Sequence, residues 1–588
     1  MYQPDLSPVA DSLALSSLVA ALPLLTLFVL LGGLKMKAHW AGLASLAVAV
    51  AVAVTAYGMP GRLALLSASE GAAFGLFPIM WIVVTAIWVY QLTVVSGRFE
   101  DLRRAFGLIS ADPRIQAIII AFCFGGLLEA LAGFGAPVAI TGVMLMGLGF
   151  APVRAAVTVL VANTAPVAFG AIATPIITAG NLTKIPYTEI GAYVGHQTPL
   201  IALFVPLLLV GLVHGRRGVR QTWPVALVCG AVFGLAQFVS ATYLSVELTD
   251  IVASLAGLAA IVLFLRVWRP QGSEEARADL HKAARAEQAG GAAGQPSDPG
   301  HADRPSAPSG THTGQDGART PHDRAAATDT LPVAGSAQRI KGSRILMAFL
   351  PYLIIIAVFS LAKLWTPLKE FLTASDAKLG WPGLDGEVLT AAGQVSATTV
   401  YTFPWLSSPG TLLLLSGAVI AAVYRVTPAA AAREFTATLA KLRWALLTVA
   451  AVLALAYVMN LSGQTITIGT WIAGAGTAFA FLSPILGWLG TAVTGSDTSA
   501  NALFATLQQT AANKAGLDPT LLVAANTSGG VVGKMISPQN LTIAATAVGL
   551  IGRESQLFRA AIKWSLLLLL ALCVLVYLQS NVLAWMLP

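Results

Sequence analysis

Charged residues are scarce in this chain of 588 residues, at 11% of the total, whereas hydrophobic residues make up 56%. A soluble protein carries about a quarter charged residues, so the composition excludes an ordinary water-soluble protein. Many apolar runs approach the roughly 20 residues that cross a bilayer, and they are continuous rather than alternating, which disfavours a β-barrel. The sequence therefore predicts an all-α polytopic membrane protein with about 12–14 transmembrane segments.

The positive charge of the chain is not arranged as a nucleic-acid site. The net charge is +8, but the Lys and Arg residues lie in short loops between apolar runs. In such loops they set the topology of a membrane protein. We therefore expect membrane lipid, and no nucleic acid, among the partners of this protein.

Cysteine is also scarce, and the motifs of several chemical functions are missing. Cys123, Cys229 and Cys573 each lie within an apolar run, without the spacing of a metal site or a disulfide framework. The sequence has no Gly-x-x-x-x-Gly-Lys-Ser/Thr motif for ATP and no Gly-x-Ser-x-Gly motif of a hydrolase. We expect no cofactor, no metal and no enzymatic activity.

A polar segment divides the chain into two membrane halves. Residues 271–338 are rich in Ala, Gly, Pro, Asp, Arg and Ser, and they almost lack large apolar side chains. Such a segment cannot bury enough apolar surface to fold. We predict a first membrane half at residues 1–270, a disordered linker at 271–343 and a second membrane half at 344–588.

The distribution of Lys and Arg predicts that the two halves are inverted relative to each other. The first helix of the first half, residues 13–34, ends at positive residues, whereas the first helix of the second half, residues 345–364, begins at them. Positive loops face the cytoplasm, so these helices run in opposite directions. The linker should be cytoplasmic and both termini should lie outside. Inverted repeats place a binding site near the membrane midplane.

One sequence pattern occurs once in each half. Residues 162–175 and 525–538 both begin with Ala-Asn-Thr, carry a Gly seven residues after the Asn, and end in a hydroxyl residue followed by Pro. Each follows an apolar stretch that is interrupted, by Gly-Phe-Gly at 133–135 and by Gly-Ser-Asp-Thr-Ser at 495–499. Gly and Pro in mid-span mark backbone that leaves the helix and lines a cavity. We predict two re-entrant hairpins and two broken helices, although close packing of small residues is an alternative interpretation.

The residues at these breaks are the candidate substrate ligands. A half-helix that begins at a hairpin tip presents free N–H groups, which suit an anionic substrate, and a Lys suits a carboxylate. Hydroxyl and amide side chains add further donors and acceptors. The candidates are Gly133, Phe134, Gly135, Asn163, Thr164, Ser496, Thr498, Ser499, Asn526, Thr527 and Lys534.

Ionisable residues at membrane depth are functional candidates in their own right. Glu129 borders an apolar run, where loss of hydration suits a carboxyl to bind and release a proton. Asp497 lies among hydroxyls, so it could carry a proton or stay ionised as a partner of Lys534. We predict that these two carboxyls carry proton coupling. Arg154 is equally consistent with a loop anchor, and His196 is better explained as a loop or core residue.

Four stretches together resemble the bacterial L-lactate permease family: residues 129–140, 162–172, 495–504 and 533–539. The resemblance covers both membrane halves. It implies a symporter that imports L-lactate with protons across the inner membrane, and often the related 2-hydroxy monocarboxylate glycolate. It also implies a transport domain that holds the hairpins, a scaffold domain that often forms a homodimer, and elevator-like motion between them.

The sequence leaves three alternatives to this interpretation. Sodium coupling is one, because carbonyls exposed at broken helices also coordinate Na⁺. An intramembrane protease would need a Ser with a His or Lys partner, or two opposed Asp residues, which the adjacent Ser496 and Asp497 do not provide. A channel would repeat its selectivity elements around an axis normal to the membrane, whereas this repeat is inverted.

Overall fold

The computed structural model of the protein describes residues 1–107, 109–133, 135–280, 282 and 342–588. Most of these residues are helical, as the predicted all-α class requires. Most of the predicted linker at 271–343 lies outside the described residues, so the domain boundaries stay predictions.

The α-helices of the first half lie between Leu13 and Val267. They are α1 (Leu13–Ala20), α2 (Leu22–Phe28), α3 (Ala38–Thr55), α4 (Gly61–Phe74), α5 (Trp81–Val95), α6 (Arg98–Gly107), α7 (Pro113–Ala117), α8 (Gly125–Ala132), α9 (Ala136–Gly147), α10 (Pro152–Ala162), α11 (Gly170–Thr183), α12 (Tyr187–Val194), α13 (Thr198–Val239) and α14 (Thr249–Val267). Short π-helical turns continue α2, α4, α7 and α13 at Val29–Gly33, Gly75–Met80, Ile118–Phe124 and Ser240–Leu244.

The second half contains further helices and one small antiparallel sheet. They are α15 (Gly342–Leu364), α16 (Thr366–Ala374), β1 (Ala377–Gly380), β2 (Val400–Phe403), α17 (Pro409–Val423), α18 (Pro428–Leu461), α19 (Gln464–Ile472), α20 (Phe479–Thr494), α21 (Asp497–Ala515), α22 (Pro519–Gly533), α23 (Pro538–Ala547) and α24 (Glu554–Gln579). The strands pair in the register Ala377 to Phe403.

Within the described residues, ten helical segments are long and apolar enough to cross a membrane, or eleven if α10 and α11, which are bent by 63°, form one span. One of the ten, Thr198–Leu244, contains a reversal of direction at His214 and Gly215. Counting its two arms separately gives eleven segments, or twelve with the bent pair, which is the lower limit of the predicted range. The segment Pro113–Ala132 is also among the ten, and it is one arm of a hairpin.

The two arms of α13 pack antiparallel after a tight turn. Gly215 has φ +62°, a conformation that glycine adopts at little cost. A Cβ added at Gly230 would lie 2.3 Å from the carbonyl oxygen of Leu203, and one at Gly234 would lie 2.9 Å from that of Pro199. The backbones of the arms are therefore in contact, and small residues make this approach possible.

Polar contacts identify the two ends of the helical bundle. At one end Arg114 donates to the Gln221 side chain and to the carbonyl of Gln271, and Arg154 donates to the carbonyl of Val213. We call this the basic end. At the opposite end Lys363 pairs with Glu247 at 2.9 Å and the Tyr193 hydroxyl donates to Asp518 at 2.7 Å.

The two hairpins enter the bundle from opposite ends, as inverted repeats require. The first, α7–α8 with α9, leaves and returns to the basic end and turns between α8 and α9, where we call Gly133 and Gly135 the first tip. The second, α20 with α21, leaves and returns to the opposite end and turns at residues 495–496, the second tip. Both tips reach α23: a Cβ at Gly135 would lie 2.3 Å from Ile543, and one at Gly495 would lie 2.5 Å from Gln539.

Both termini lie at the opposite end of the bundle. The backbone N–H of Tyr2 donates to the carbonyl of Glu387 at 2.7 Å, in the segment that follows Lys363. Gln579, the last residue of α24, donates to the carbonyl of His196 at 3.2 Å, three residues after Tyr193. The structure thus places both termini together and away from the basic end. Which end faces the cytoplasm stays a prediction.

Gly529 allows α22 to pack on the backbone of α20. A Cβ at this position would lie 2.0 Å from the carbonyl oxygen of Pro484. We expect Gly529→Ala to lower the free energy of unfolding by about 1–3 kcal/mol, because the two backbones must separate. Thermal unfolding in detergent measures this loss, with Gly474→Ala as the control because a Cβ there meets nothing within 4 Å. Equal melting temperatures for the two variants would contradict the packing.

Candidate functional site

A buried ion pair joins the two halves of the protein. Lys534 Nζ lies 2.6 Å from Glu129 Oε1, and the two side chains are 8% and 2% exposed. Glu129 lies in the last turn of α8, just before the first tip. Lys534 follows α22, where the helix tightens into the single 3₁₀ turn Lys534–Ile536. The pair therefore sits where the first hairpin meets the break in the second broken helix.

The backbone around the pair leaves room for it and holds it in place. A Cβ at Gly170 would lie 2.8 Å from Glu129 Oε1, so a glycine is needed where α11 begins. Ser537 Oγ and Asn540 Nδ2 donate to the carbonyl oxygen of Lys534 at 3.1 and 3.0 Å. These bonds satisfy a carbonyl that the break removes from the helix ladder.

The first Asn-Thr motif forms a sharper break than the second. The chain leaves helical geometry after Ala162, and residues 171–173 take left-handed φ values of 44°, 56° and 58°. None of the three is glycine, and this conformation costs about 1–2 kcal/mol for such a residue. Contacts with neighbouring elements must therefore hold the break in shape.

Gln237 of α13 provides one such contact. Its Nε2 donates to the carbonyl of Ala165 at 3.0 Å, within the broken segment. Its Oε1 accepts from the Thr198 hydroxyl at 3.3 Å, and the Gln237 side chain is fully buried. The amide therefore replaces the helix ladder for a carbonyl that has no water available.

Asn163 and Thr164 line a narrow crevice that reaches Lys534. The crevice has no room for a water molecule, so this arrangement is closed. The Oδ1 of Asn540 has no hydrogen-bond partner among the described residues. The lining residues are Val138, Leu160, Asn163, Thr164, Val167, Val531, Lys534, Met535 and Asn540.

The second Asn-Thr motif does not line this crevice. Asn526 Nδ2 and Thr527 Oγ1 both donate to Asn501 Oδ1 at 3.0 Å, and Gln508 Nε2 donates to Asn526 Oδ1 at 3.3 Å. The network is fully buried. In this structure these side chains hold α21 against α22, and their direct contact with substrate stays a prediction.

Asp497 lies at the second tip, apart from the ion pair. Thr491 Oγ1 is 3.4 Å from its Oδ1, and its Oδ2 has no partner among the described residues. A Cβ at Gly530 would lie 1.9 Å from Oδ1, so the carboxyl packs directly on α22. The partner of Lys534 in this structure is therefore Glu129, which reaches it from the first hairpin. An ion pair of Lys534 with Asp497, which the sequence left open as one of two roles for Asp497, is not formed here. Asp497 still interacts electrostatically with Lys534.

The two tips are closely packed turns with internal hydrogen bonds, and they do not form an open binding site for an anion in this structure. The N–H of Ala136 donates to the carbonyl of Gly133 at 3.2 Å, and Gly135 has φ +88°. Ser496 caps α21 by accepting from the N–H of Ser499 at 3.3 Å. The neighbouring Thr498 is buried. Phe134 lies outside the described residues, so its role stays a prediction.

Arg154 and His196 make contacts elsewhere. Arg154 Nη1 donates to the carbonyl of Val213 at 3.0 Å at the basic end, as a loop anchor would. His196 Nδ1 lies 2.7 Å from the carbonyl oxygen of Ala192, and its ring packs edge-on against Phe238. The structure therefore gives both side chains structural contacts outside the crevice.

Sequence reasoning missed several buried polar residues of this region. Ser528 Oγ donates to Gln197 Oε1 at 2.6 Å and so links α22 to the first half. A search for ionisable residues passes over neutral amides, although a Gln within an apolar run carries the same signal. The missed amides are Gln197, Gln237, Asn501 and Gln508. The buried carboxyl Asp250, at the start of an apolar run, was also missed.

Comparison with known proteins identifies the family. The sequence matches the profile of the L-lactate permease family over residues 16–298 and 315–583. The L-lactate permease of Bacillus subtilis (strain 168) is 39% identical over 598 residues, with 99% of each chain covered. The glycolate permease GlcA of Escherichia coli (strain K12) is 40% identical, with 100% of this chain and 99% of that one covered. This chain belongs to the L-lactate permease family.

The family assignment confirms the resemblance carried by the four motifs. Among solved structures, a transporter named YdaH from Alcanivorax borkumensis overlays 87% of this chain on 86% of its own, at 14% identity and a TM-score of 0.39.

Breaking the ion pair on one side should cost more than removing both charges. Lys534→Met leaves Glu129 buried without a partner, which typically costs about 3–5 kcal/mol, and adding Glu129→Gln removes the remaining charge. We expect the single variant to melt well below the wild type and the double variant to recover part of the loss. Thermal unfolding at neutral pH measures this. Additive losses in the double variant would show that the two groups are not paired.

Proposed function

We propose that this protein is a secondary transporter that imports L-lactate, and related 2-hydroxy monocarboxylates such as glycolate, together with protons. One observation carries the proposal. A buried ammonium group, Lys534 Nζ, borders the crevice and is held by a carboxylate that a substrate carboxylate can replace. The relatives named L-lactate permease and glycolate permease support the choice of substrate.

Exchange of carboxylates at Lys534 supplies the coupling. A lactate carboxylate that binds Lys534 displaces Glu129, whose own carboxylate is then buried without a cation. An unpaired buried charge is costly, so Glu129 takes up a proton. The empty site holds one ammonium and one carboxylate, and the loaded site holds the same charges with Glu129 neutral. Both forms are therefore uncharged overall and can cross the apolar interior, whereas lactate alone would leave a net negative charge.

The crevice also suits the rest of a 2-hydroxy acid. Asn540 Oδ1, which lacks a partner among the described residues, can accept from the 2-hydroxyl group. Asn163 and Thr164 add polar groups, and Val138 and Leu160 can contact the methyl group of lactate. Glycolate lacks that methyl group, which is worth about 1–3 kcal/mol in an apolar pocket. A preference for lactate over glycolate of about 10–200-fold follows.

The proposal also includes the orientation of the protein in the membrane and its division into domains. The positive residues at the basic end would face the cytoplasm with the linker, and both termini would lie outside, in the bacterial inner membrane. The hairpins and broken helices would form the moving transport domain, and α3, α4 and α18 would belong to a scaffold in contact with lipid, with a second copy as its expected partner. A transporter is proposed rather than an enzyme, a protease or a channel.

Uptake in proteoliposomes tests the function and its coupling ion. We expect radiolabelled lactate to accumulate when a proton gradient is imposed, inside alkaline, and glycolate to compete with it. A sodium gradient imposed alone should give no accumulation. Accumulation driven by sodium alone would replace the proposal with its nearest alternative, a sodium-coupled carboxylate transporter.

Substitutions of Lys534 and Glu129 should separate the effect on substrate binding from the effect on proton coupling. Lys534→Gln removes the cation that faces the carboxylate, so we expect the apparent affinity for lactate to fall at least tenfold. Glu129→Gln cannot release a proton, so we expect gradient-driven accumulation to fail while lactate counterflow continues. Lys563→Gln is the matched control, because Lys563 is an exposed residue beside Trp564.

The reverse outcome would reassign the proton carrier. If accumulation persists in Glu129→Gln and fails in Asp497→Asn, then Asp497 carries the proton and Glu129 only positions Lys534. Unchanged affinity in Lys534→Gln would contradict the assignment of the substrate site.

A further inference from the structure

Asp250 lies level with Glu129 on a neighbouring helix. Helices α8 and α14 pack antiparallel: a Cβ at Gly257 would lie 3.6 Å from Cys123 Sγ, and one at Gly126 would lie 2.3 Å from Ser254 Oγ. One further turn along α8, in the direction of the first tip, reaches Glu129. One further turn back along α14 reaches Asp250. The register therefore brings the two carboxyl groups to the same height in the bundle.

The Asp250 side chain is buried and has no hydrogen bond. It is 0% exposed, and neither carboxyl oxygen has a partner among the described residues. Such a group in an apolar bundle is costly and calls for an explanation. The charged groups that act on it are Glu129 of α8 and Lys534 of the second broken helix.

The second oxygen of Glu129 is also without a partner. Oε1 accepts from Lys534, whereas Oε2 is buried and makes no hydrogen bond among the described residues. Oε2 is therefore a vacant acceptor on the side of Glu129 that Lys534 does not occupy. A proton that binds Oε2 neutralises Glu129 and so ends its ion pair, as required when substrate takes the place of Glu129 at Lys534.

Asp250 also lies between Glu129 and the opposite end of the bundle. One turn before it, Glu247 bonds to Lys363 at 2.9 Å and accepts from the Tyr187 hydroxyl at 2.9 Å. Glu247 is the nearest ionisable residue that precedes Asp250 in the sequence. Asp250 therefore has charged residues towards the first tip and towards the opposite end of the bundle, but it makes no hydrogen bond to a described residue.

We propose that Asp250 is a proton-transfer residue that exchanges a proton with Glu129 when substrate replaces Glu129 at Lys534. The inference rests on the proposed function and adds a residue to its coupling path. In the step, the O–H bond of Asp250 breaks and an O–H bond to Glu129 Oε2 forms, so the negative charge moves to Asp250. A proton from the opposite end of the bundle then restores Asp250.

The test compares two activities of the full-length protein in proteoliposomes. One is lactate-driven acidification of the vesicle lumen, read by a trapped pH-sensitive dye. The other is counterflow of radiolabelled lactate, which needs no net proton movement. We expect Asp250→Asn to reduce acidification at least tenfold while counterflow stays within about threefold of the wild type. Asp250→Glu, which can still carry a proton, should restore most of the acidification.

Ser254→Ala is the matched control, because it removes a buried polar group one turn away on the same helix. It should leave both activities near the wild-type level. Asp250→Ser replaces Asp250→Asn if the latter does not fold, with the same expectation. Normal acidification in Asp250→Asn or in Asp250→Ser would overturn the proposal. So would loss of counterflow in both neutral variants and in Asp250→Glu, since that pattern indicates a structural role. Absence of acidification in the wild type would instead refute proton symport itself.

Discussion

The burial of two opposite charges between the halves is the constraint on which the rest of the site depends. Glu129 and Lys534 are 405 residues apart in the chain and come together at 2.6 Å in an apolar bundle. Either charge would be costly to bury without the other. A group that takes the place of Glu129 at Lys534 must therefore also be negative, and the displaced Glu129 must become neutral. Gly170 leaves room for the Glu129 carboxyl, and the bonds from Ser537 and Asn540 hold the backbone at Lys534. The coupling that we propose between lactate and a proton rests on the same electrostatic requirement.

The inverted repeat supplies the two members of the pair, but it does not make the two breaks equivalent. The first break, with its left-handed turn and the support of Gln237, opens Asn163 and Thr164 to the crevice. The second keeps Asn526 and Thr527 in a closed amide network and offers Lys534 instead. One repeat therefore contributes neutral polar groups and the other contributes the cation. A pattern shared by both halves therefore makes different contacts in each half.

Much of this architecture could be predicted from the sequence, because it depends on patterns that can be recognised without knowing which residues are in contact. Apolar length, the placement of Lys and Arg, and the paired Gly interruptions led to the helical class, the opposed hairpins and the breaks. Pairing within the site could not be predicted in the same way. The sequence offered Asp497 as a possible partner of Lys534, whereas the observed pairing with Glu129 depends on which hairpin arm faces the second broken helix. The position of Asp250 level with Glu129 could not be predicted, because it depends on the register of α14 against α8.

The central claim is that a substrate carboxylate takes the place of Glu129 at Lys534. An experimental structure of the protein in lipid with L-lactate bound tests it most directly. The account predicts a lactate carboxylate within hydrogen-bond distance of Lys534 Nζ, a widened crevice between α10 and α23, and Glu129 Oε1 no longer in contact with Nζ. Lactate bound elsewhere, with the 2.6 Å contact between Glu129 and Lys534 intact, would contradict it.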